Sequence, residues 1–339
     1  PDDFDEHIKS LKKKIFDLKS NIASRQSSAY ILENITKNLP ELIGGSADLS
    51  GSNNTKTKYS TIIKPSNFNG NYIHYGVREH GMAGIMNGMA LHGGIIPYGG
   101  TFLIFLDYCK PSLRLSALMG LKVIYIFSHD SIGLGEDGPT HQPIEQLTSL
   151  RSLPNLNVLR PADAIETLEC WEIALKDNTP SVISLTRQNI PIVRKEKISD
   201  NMSKKGAYII AETKKNDRDI TILSTGSEVS IAIEAKKILE KKSLNITVVS
   251  MPCWELIENL DTKRRETLLG GESLRVGIEA AVRSGWDRWL GKNGMFFGMT
   301  GFGASAPYKD LYDHFGLTAP KIVKSVRHHL DTSAKNRRG

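Results

Sequence analysis

The sequence predicts two consecutive α/β domains, each a mostly parallel sheet flanked by helices. Three observations predict it. Apolar, β-rich segments of strand length alternate with longer segments whose apolar residues recur at helical spacing. A polar stretch without strong periodicity, residues 191–205, interrupts that alternation, and the pattern then restarts. The length of 339 residues, 40% hydrophobic and 24% charged, suits two domains of ordinary size in a soluble globular chain.

Taken in order, residues 1–20 are rich in Lys and Asp and read as a linker helix. The chain opens with Pro rather than Met, so this start is expected not to be a native N-terminus. Residues 24–39 carry apolar residues at helical spacing, stopped by Pro40. Strand-like segments follow at 41–44, 71–75, 95–98, 121–127, 156–159 and 181–186, with helix-like ones at 79–92, 102–119, 142–152 and 163–177. They define a first domain at 21–192. After a linker at 193–205, strands at 207–211, 219–223, 245–250, 274–279 and 295–298 alternate with helices at 227–242, 262–269, 283–291 and 320–330. These define a second domain at 206–332, followed by a tail at 333–339.

No apolar run reaches membrane-spanning length and the start has no signal-peptide character, so a cytoplasmic protein without membrane contact is expected. Cys109, Cys170 and Cys253 show no paired spacing and read as buried free thiols. The net charge of +7 is spread over Lys12–Lys14, Lys204–Lys205, Lys241–Lys242 and residues 335–338, without interleaved aromatics. That pattern predicts solvated faces, not a nucleic-acid surface.

The chemistry concentrates in a few loops. The buried-strand pattern at 121–128 ends in Gly133-Leu-Gly-Glu-Asp-Gly-Pro-Thr-His-Gln-Pro143. Open α/β sheets bind ligands at such strand ends. His129, Asp130, Glu136, Asp137 and His141 fall within thirteen residues there, denser in acid–base groups than a turn requires. As metal ligands, His129, Asp130 and His141 match no common template, and no metal site is expected in this chain. Tyr75-Gly-Val-Arg-Glu-His80 closes a strand and opens a helix, which puts Glu79 at the sheet mouth. Gly81, Gly84 and Gly88 leave one face of that helix bare, and each costs about 1 kcal/mol relative to Ala. Close packing within the domain or across a subunit interface would compensate. Phe102, Phe105 and Tyr108 stand three apart on one helical face after a Gly99-Gly100 turn. Such stripes are ordinarily core; the turn leaves room for a ligand. Arg25, Arg187 and the loop 46–53 supply further polar groups at element edges, and a guanidinium fork can hold a phosphate. Surface ion pairs are the plainer alternative for each arginine alone.

Gly44-Gly-Ser-Ala-Asp-Leu49, Tyr75-Gly-Val-Arg-Glu-His80, Pro97-Tyr-Gly-Gly-Thr-Phe102, Gly135-Glu-Asp-Gly-Pro-Thr-His-Gln-Pro143 and Thr186-Arg-Gln-Asn189 together resemble transketolase in order and approximate spacing. Phe302-Gly-Ala-Ser-Ala-Pro307 is similar to the family's last domain. Met299-Thr-Gly301 departs from the family, which commonly carries an Asp and a further polar residue there. The resemblance implies a pyrimidine-binding domain of the thiamine-diphosphate-binding fold plus a C-terminal domain. The diphosphate-binding domain, with its Gly-Asp-Gly motif and metal-holding Asn, has no counterpart here. A fragment, or alternatively one subunit of a split enzyme, is therefore expected, with the missing domain in cis or on a second chain.

The resemblance further implies thiamine diphosphate with a divalent metal, Mg or Ca, whose ligands lie outside this chain. It implies transfer of a two-carbon ketol unit between phosphorylated sugars, in a homodimer whose sites form between subunits. Glu79 would hydrogen-bond the aminopyrimidine, and Glu79 and His141 are the expected catalytic residues. Asp48, Leu49, Phe102, Phe105 and Tyr108 would line the cofactor pocket. Arg25, Ser52, His129 and Arg187 would hold the sugar phosphate, and Asp137 and His141 its hydroxyls. Dihydroxyacetone synthase and 1-deoxyxylulose-5-phosphate synthase are the alternatives, and a 2-oxo-acid dehydrogenase beta subunit would have little use for the arginines. A non-catalytic dimerisation or regulatory protein is the alternative of another class. Against it stands the full set of acid–base residues.

Overall fold

The computed structural model describes residues 3–17, 21–214 and 217–336. The first sheet contains β1 (Leu42–Ser46), β2 (Tyr72–His74), β3 (Ile96–Phe102), β4 (Ile124–Ser128), β5 (Asn157–Leu159) and β6 (Ser181–Leu185). They lie in the order β2-β1-β3-β4-β6-β5, every pair parallel. Parallel strands need crossovers, and helices, two of them ahead of β1 and the rest between strands, cover both faces. Those helices are α1 (Phe4–Phe16), α2 (Ser24–Ile35), α3 (Ser50–Asn53), α4 (Glu79–His92), α5 (Leu106–Leu118), α6 (Gln146–Arg151) and α7 (Ala164–Lys176). Alternation along β4 decides which core each residue joins. Ile124 and Ile126 pack with α1, α2 and α7, whereas Tyr125 and Phe127 pack with α4, α5 and α6.

The second sheet holds β7 (Tyr208–Glu212), β8 (Ile220–Ser224), β9 (Ile246–Ser250), β10 (Leu274–Val282) and β11 (Met295–Met299) in the order β11-β10-β8-β9-β7, with only β7 antiparallel. α8 (Glu228–Glu240), α12 (Tyr308–His314) and α13 (Ala319–Asn336) cover one face. α9 (Trp254–Glu258), α10 (Thr262–Leu269) and α11 (Asp287–Leu290) cover the other, around Trp254, Trp286 and Trp289. Two consecutive α/β domains, each a mostly parallel sheet flanked by helices, are therefore what the chain forms.

Several local expectations are corrected. Gly99 and Gly100 form no turn: they lie within β3, in register with Tyr125 and Ile126 of β4. A glycine in a strand often marks a close backbone approach. A Cβ on Gly100 would stand 2.6 Å from Thr55 Cγ2. Phe102, Phe105 and Tyr108 consequently straddle a strand end, a short 3-10 turn and α5, instead of one helical face. Residues 142–145 are not helical, and α6 begins at Gln146. The expected helix at 283–291 shrinks to Asp287–Leu290 because β10 runs on to Val282. Helices α9 and α12 were not expected.

The segment read as a linker helix docks. Ile8, Leu11 and Ile15 of α1 are buried in the first domain's core. Lys12, expected on a solvated face, is buried against Glu169 of α7 at 2.5 Å. Arg194, from the second linker, meets the same carboxylate through both terminal nitrogens. Cys109, Cys170 and Cys253 are buried free thiols. Pro1 and residues 337–339 of the expected tail lie outside the described residues, and the tail's start belongs to α13.

Candidate active site

The predicted site residues gather at the C-terminal ends of β1, β3, β4 and β6, where a parallel sheet presents its loops. Aromatic rings form the spine. Phe102 stacks on His129 with centroids 3.7 Å apart, Phe105 stacks on Phe102 at 5.7 Å, and Tyr108 follows at 5.8 Å. His141 meets Phe105 edge-on at 5.9 Å.

At one end of this ladder lies a cleft of about 660 Å³, lined by Asp48, Leu49, Val77, Glu79, Phe105 and Tyr108 among others. Glu79 opens α4, where the helix N-terminus favours a carboxylate. Its side chain is buried, yet no side-chain hydrogen bond to it occurs among the described residues. Glu79 lines the cleft, so its carboxylate is open to a ligand there. Tyr108, by contrast, is 63% exposed. Asp48 adopts φ +62° and His129 φ +60°. Such left-handed conformations in non-glycine residues cluster at functional sites.

The other end is electropositive. Arg25 Nη1 donates to the backbone oxygen of Ser52 at 2.6 Å, while its buried Nε has no partner. Burial and then the neighbouring Arg187 lower the Arg25 pKa. Burial, followed by Arg25, Arg187 and His141, pushes His129 down to about 3, so its imidazole stays neutral. No carboxylate figures among the groups acting on either residue. Asp137 is exposed on the loop and makes no side-chain hydrogen bond among the described residues, so the structure does not join it to this cluster.

Two residues missed by sequence reasoning orient His129. Ser128 Oγ lies 2.9 Å from His129 Nδ1 and accepts from Asn53 Nδ2 at 2.7 Å. Ser46 Oγ in turn donates toward Asn53 Oδ1 at 3.1 Å. With Asn53 donating, the Ser128 hydrogen goes to Nδ1, which leaves Nε2 carrying the hydrogen of the neutral ring. Only the positions of Asn53 at the end of a polar loop and of Ser128 at a strand terminus signalled them. Asp130 turns out to pair with Arg160 of its own domain at 2.9 Å, and Arg160 in turn reaches Thr225 and Glu228 of the second domain.

Family models match in two consecutive pieces: the transketolase pyrimidine-binding domain over residues 20–193 and the transketolase-like C-terminal domain over 206–318. The transketolase of Sinorhizobium medicae is 59% identical over 90% of this chain and 44% of its own length. That of Cereibacter sphaeroides is 53% identical over 91% and 47%. The solved structure of transketolase from Leishmania mexicana superposes with a TM-score of 0.88 at 41% identity, over 93% of this chain and 46% of that one. The chain thus spans about half the length of the relatives it matches. With both domain models matched in sequence order, the chain belongs to the transketolase family.

Proposed function

We propose that this chain supplies the pyrimidine and sugar-phosphate sites of a thiamine diphosphate-dependent ketol transferase. The reaction moves a two-carbon unit from a phosphorylated ketose, such as xylulose 5-phosphate, to a phosphorylated aldose, such as ribose 5-phosphate. One observation carries the reading. A cleft-lining Glu79 with no side-chain partner among the described residues, and an Arg25–Arg187 pair beside neutral His129 with no carboxylate acting on Arg25 or His129, are joined by one aromatic ladder. The cleft beside Glu79 fits a flat heterocycle, with Phe105, Tyr108 and Leu49 for its faces and Asp48 alongside.

Bound thiamine diphosphate supplies the electron sink for breaking and remaking the ketose carbon–carbon bond. Glu79 holds and shares a proton with the pyrimidine nitrogen. Phe102, packed against His129, keeps water from the inner end of the cleft. Arg25, Arg187 and the Ser52 segment hold the phosphate, and neutral His129 donates without adding charge. His141 and Asp137 meet the sugar hydroxyls near the reacting carbons. No group of three potential metal ligands occurs among the described residues. Mg or Ca and the diphosphate are assigned to the further domain, in cis or on a second chain. A second copy of this chain is proposed to cover α4 and α5, giving a homodimer.

The test is reconstitution. The chain alone, with thiamine diphosphate, Mg²⁺ and both sugars, is expected to show no ketol transfer. Addition of a diphosphate-binding half from a close relative restores it, and Glu79→Gln abolishes the restored rate. Turnover by the pure chain, or an unaffected Glu79→Gln, would overturn the assignment.

A further inference from the structure

The loop joining β4 to α6 carries His129, Asp137 and His141, yet its fixed contacts go largely to the second domain. Ile132 and Ile144, at its two ends, belong to the buried cluster of Leu311, Tyr312 and Val323. Gln142 is buried, and its Nε2 donates across the loop to Gly135 O at 3.0 Å and to Ala304 O at 2.9 Å. Gly303 runs so close that a Cβ there would stand 1.7 Å from Gln142 Oε1. Ser305 Oγ donates to the backbone oxygen of Glu136. At the loop's root, Arg160 Nε donates to Asp130 at 2.9 Å, and its Nη1 reaches Thr225 and Glu228 of the second domain.

We propose that the second domain positions the sugar-binding loop. Segment 302–307 and the Arg160 cluster form a template on which residues 129–144 take their binding conformation, with Gln142 and Gly303 the paired positioning residues. The physical need is plain. His129 is held at positive φ, which costs a non-glycine residue, and Gly135 and Gly138 give the loop a conformational freedom that surrounding contacts must remove. Two of those contacts, to Ala304 and Ser305, come from the far domain alone. The proposal's consequence for sugar affinity rests on the phosphate-site reading above, whereas its structural core does not.

The test uses the 339-residue chain and four variants: Gly303→Ala, Gln142→Ala, these two combined, and Ser305→Ala. Hydrogen exchange of residues 131–141 is expected to quicken about tenfold in the single variants, with protection in β8 and β10 retained. The ring NMR signals of His129 and His141 shift, and ribose 5-phosphate binds about tenfold more weakly. The double variant, lacking the side chain the new methyl strikes, falls short of additivity. Ser305→Ala, confined to an exposed hydroxyl, keeps the test available where Gly303→Ala does not fold. Unchanged loop exchange and ring signals would overturn the proposal. So would loss of protection throughout β8 and β10, which would mark the contacts as general stabilisers. If the unaltered chain binds no ribose 5-phosphate, the phosphate-site reading fails while exchange still decides the proposal.

Discussion

His129 is the residue on which chemistry and environment meet most closely. Its pKa, held down at about 3 by burial and three cationic or titratable neighbours, lies below the ordinary 6.5. The neutral ring's contribution to stability is therefore complete above pH 6.5 and is lost as pH falls toward 3. NMR of the labelled imidazoles should show no titration of His129 between pH 8 and 5; a midpoint near 6.5 would contradict the buried cluster. Arg25, with its orphaned Nε, should matter more to phosphate than exposed Arg187. Arg25→Ala is expected to cost about 1.5–3 kcal/mol of ribose 5-phosphate affinity, the range of a charge-assisted hydrogen bond. Arg187→Ala should cost about 1 kcal/mol or less, because solvent screens it. Titration calorimetry separates the two. The arginines and the polar loop ending in Asn53 were visible in the sequence, but the role of Asn53 and Ser128 at His129 was not, since hydroxyls and amides at strand ends are common. Only the parallel register of β1, β3 and β4 brings them to His129.

At the scale of elements, glycine placement was the hardest signal to interpret. Gly99-Gly100 read as a turn because glycine punctuates chains, yet both residues serve close packing inside β3. Gly44 of β1 belongs to the same class, as a Cβ there would stand 2.1 Å from the buried Tyr98 ring. Gly44→Ala is expected to destabilise the chain by about 1–3 kcal/mol through overpacking, read as a lowered urea midpoint. The bare face of α4 behaves differently. A Cβ on Gly88 would meet nothing within 4 Å, and those on Gly81 and Gly84 only ordinary contacts at 3.6 and 3.8 Å, so that face has room the chain itself does not fill. Exposed Ile85 and Leu91 of α4, with Leu115 and Leu118 of α5, extend it into an apolar surface. Such a surface marks an interface. Ile85→Asp with Leu118→Asp should shift the sedimentation coefficient from dimer toward monomer. A wild-type chain that sediments as a monomer would refute the homodimer.

At the scale of the whole molecule, a buried ion cluster binds the two domains: Glu279 of β10 takes Arg151 of α6 through two hydrogen bonds. A second buried cluster ties both linkers to the first domain, where Glu169 takes Lys12 and Arg194. Despite burial, these partners hold both carboxyls at about 2, below the ordinary 4.5. Their contribution is present above 4.5 and is lost as pH falls toward 2. Glu279→Gln should lower stability at neutral pH and flatten the decline between pH 4.5 and 2, followed by urea midpoints across that range. An acid limb as steep as that of the unaltered chain would refute the assignment. The sequence by itself determined the two-domain α/β architecture, the order of strands and helices along the chain, and the candidate-site residues. Hydrophobic period and local motif depend on neighbours in sequence, and a single chain displays those directly. Tertiary structure alone decided that α1 docks, that Asp130 pairs with Arg160, and that Ala304 and Ser305 of the second domain contact the loop of residues 129–144. Each of these rests on partners far apart in sequence. Lys12 and Glu169 are separated by 157 residues and Gln142 and Ala304 by 162, distances over which no local pattern carries information.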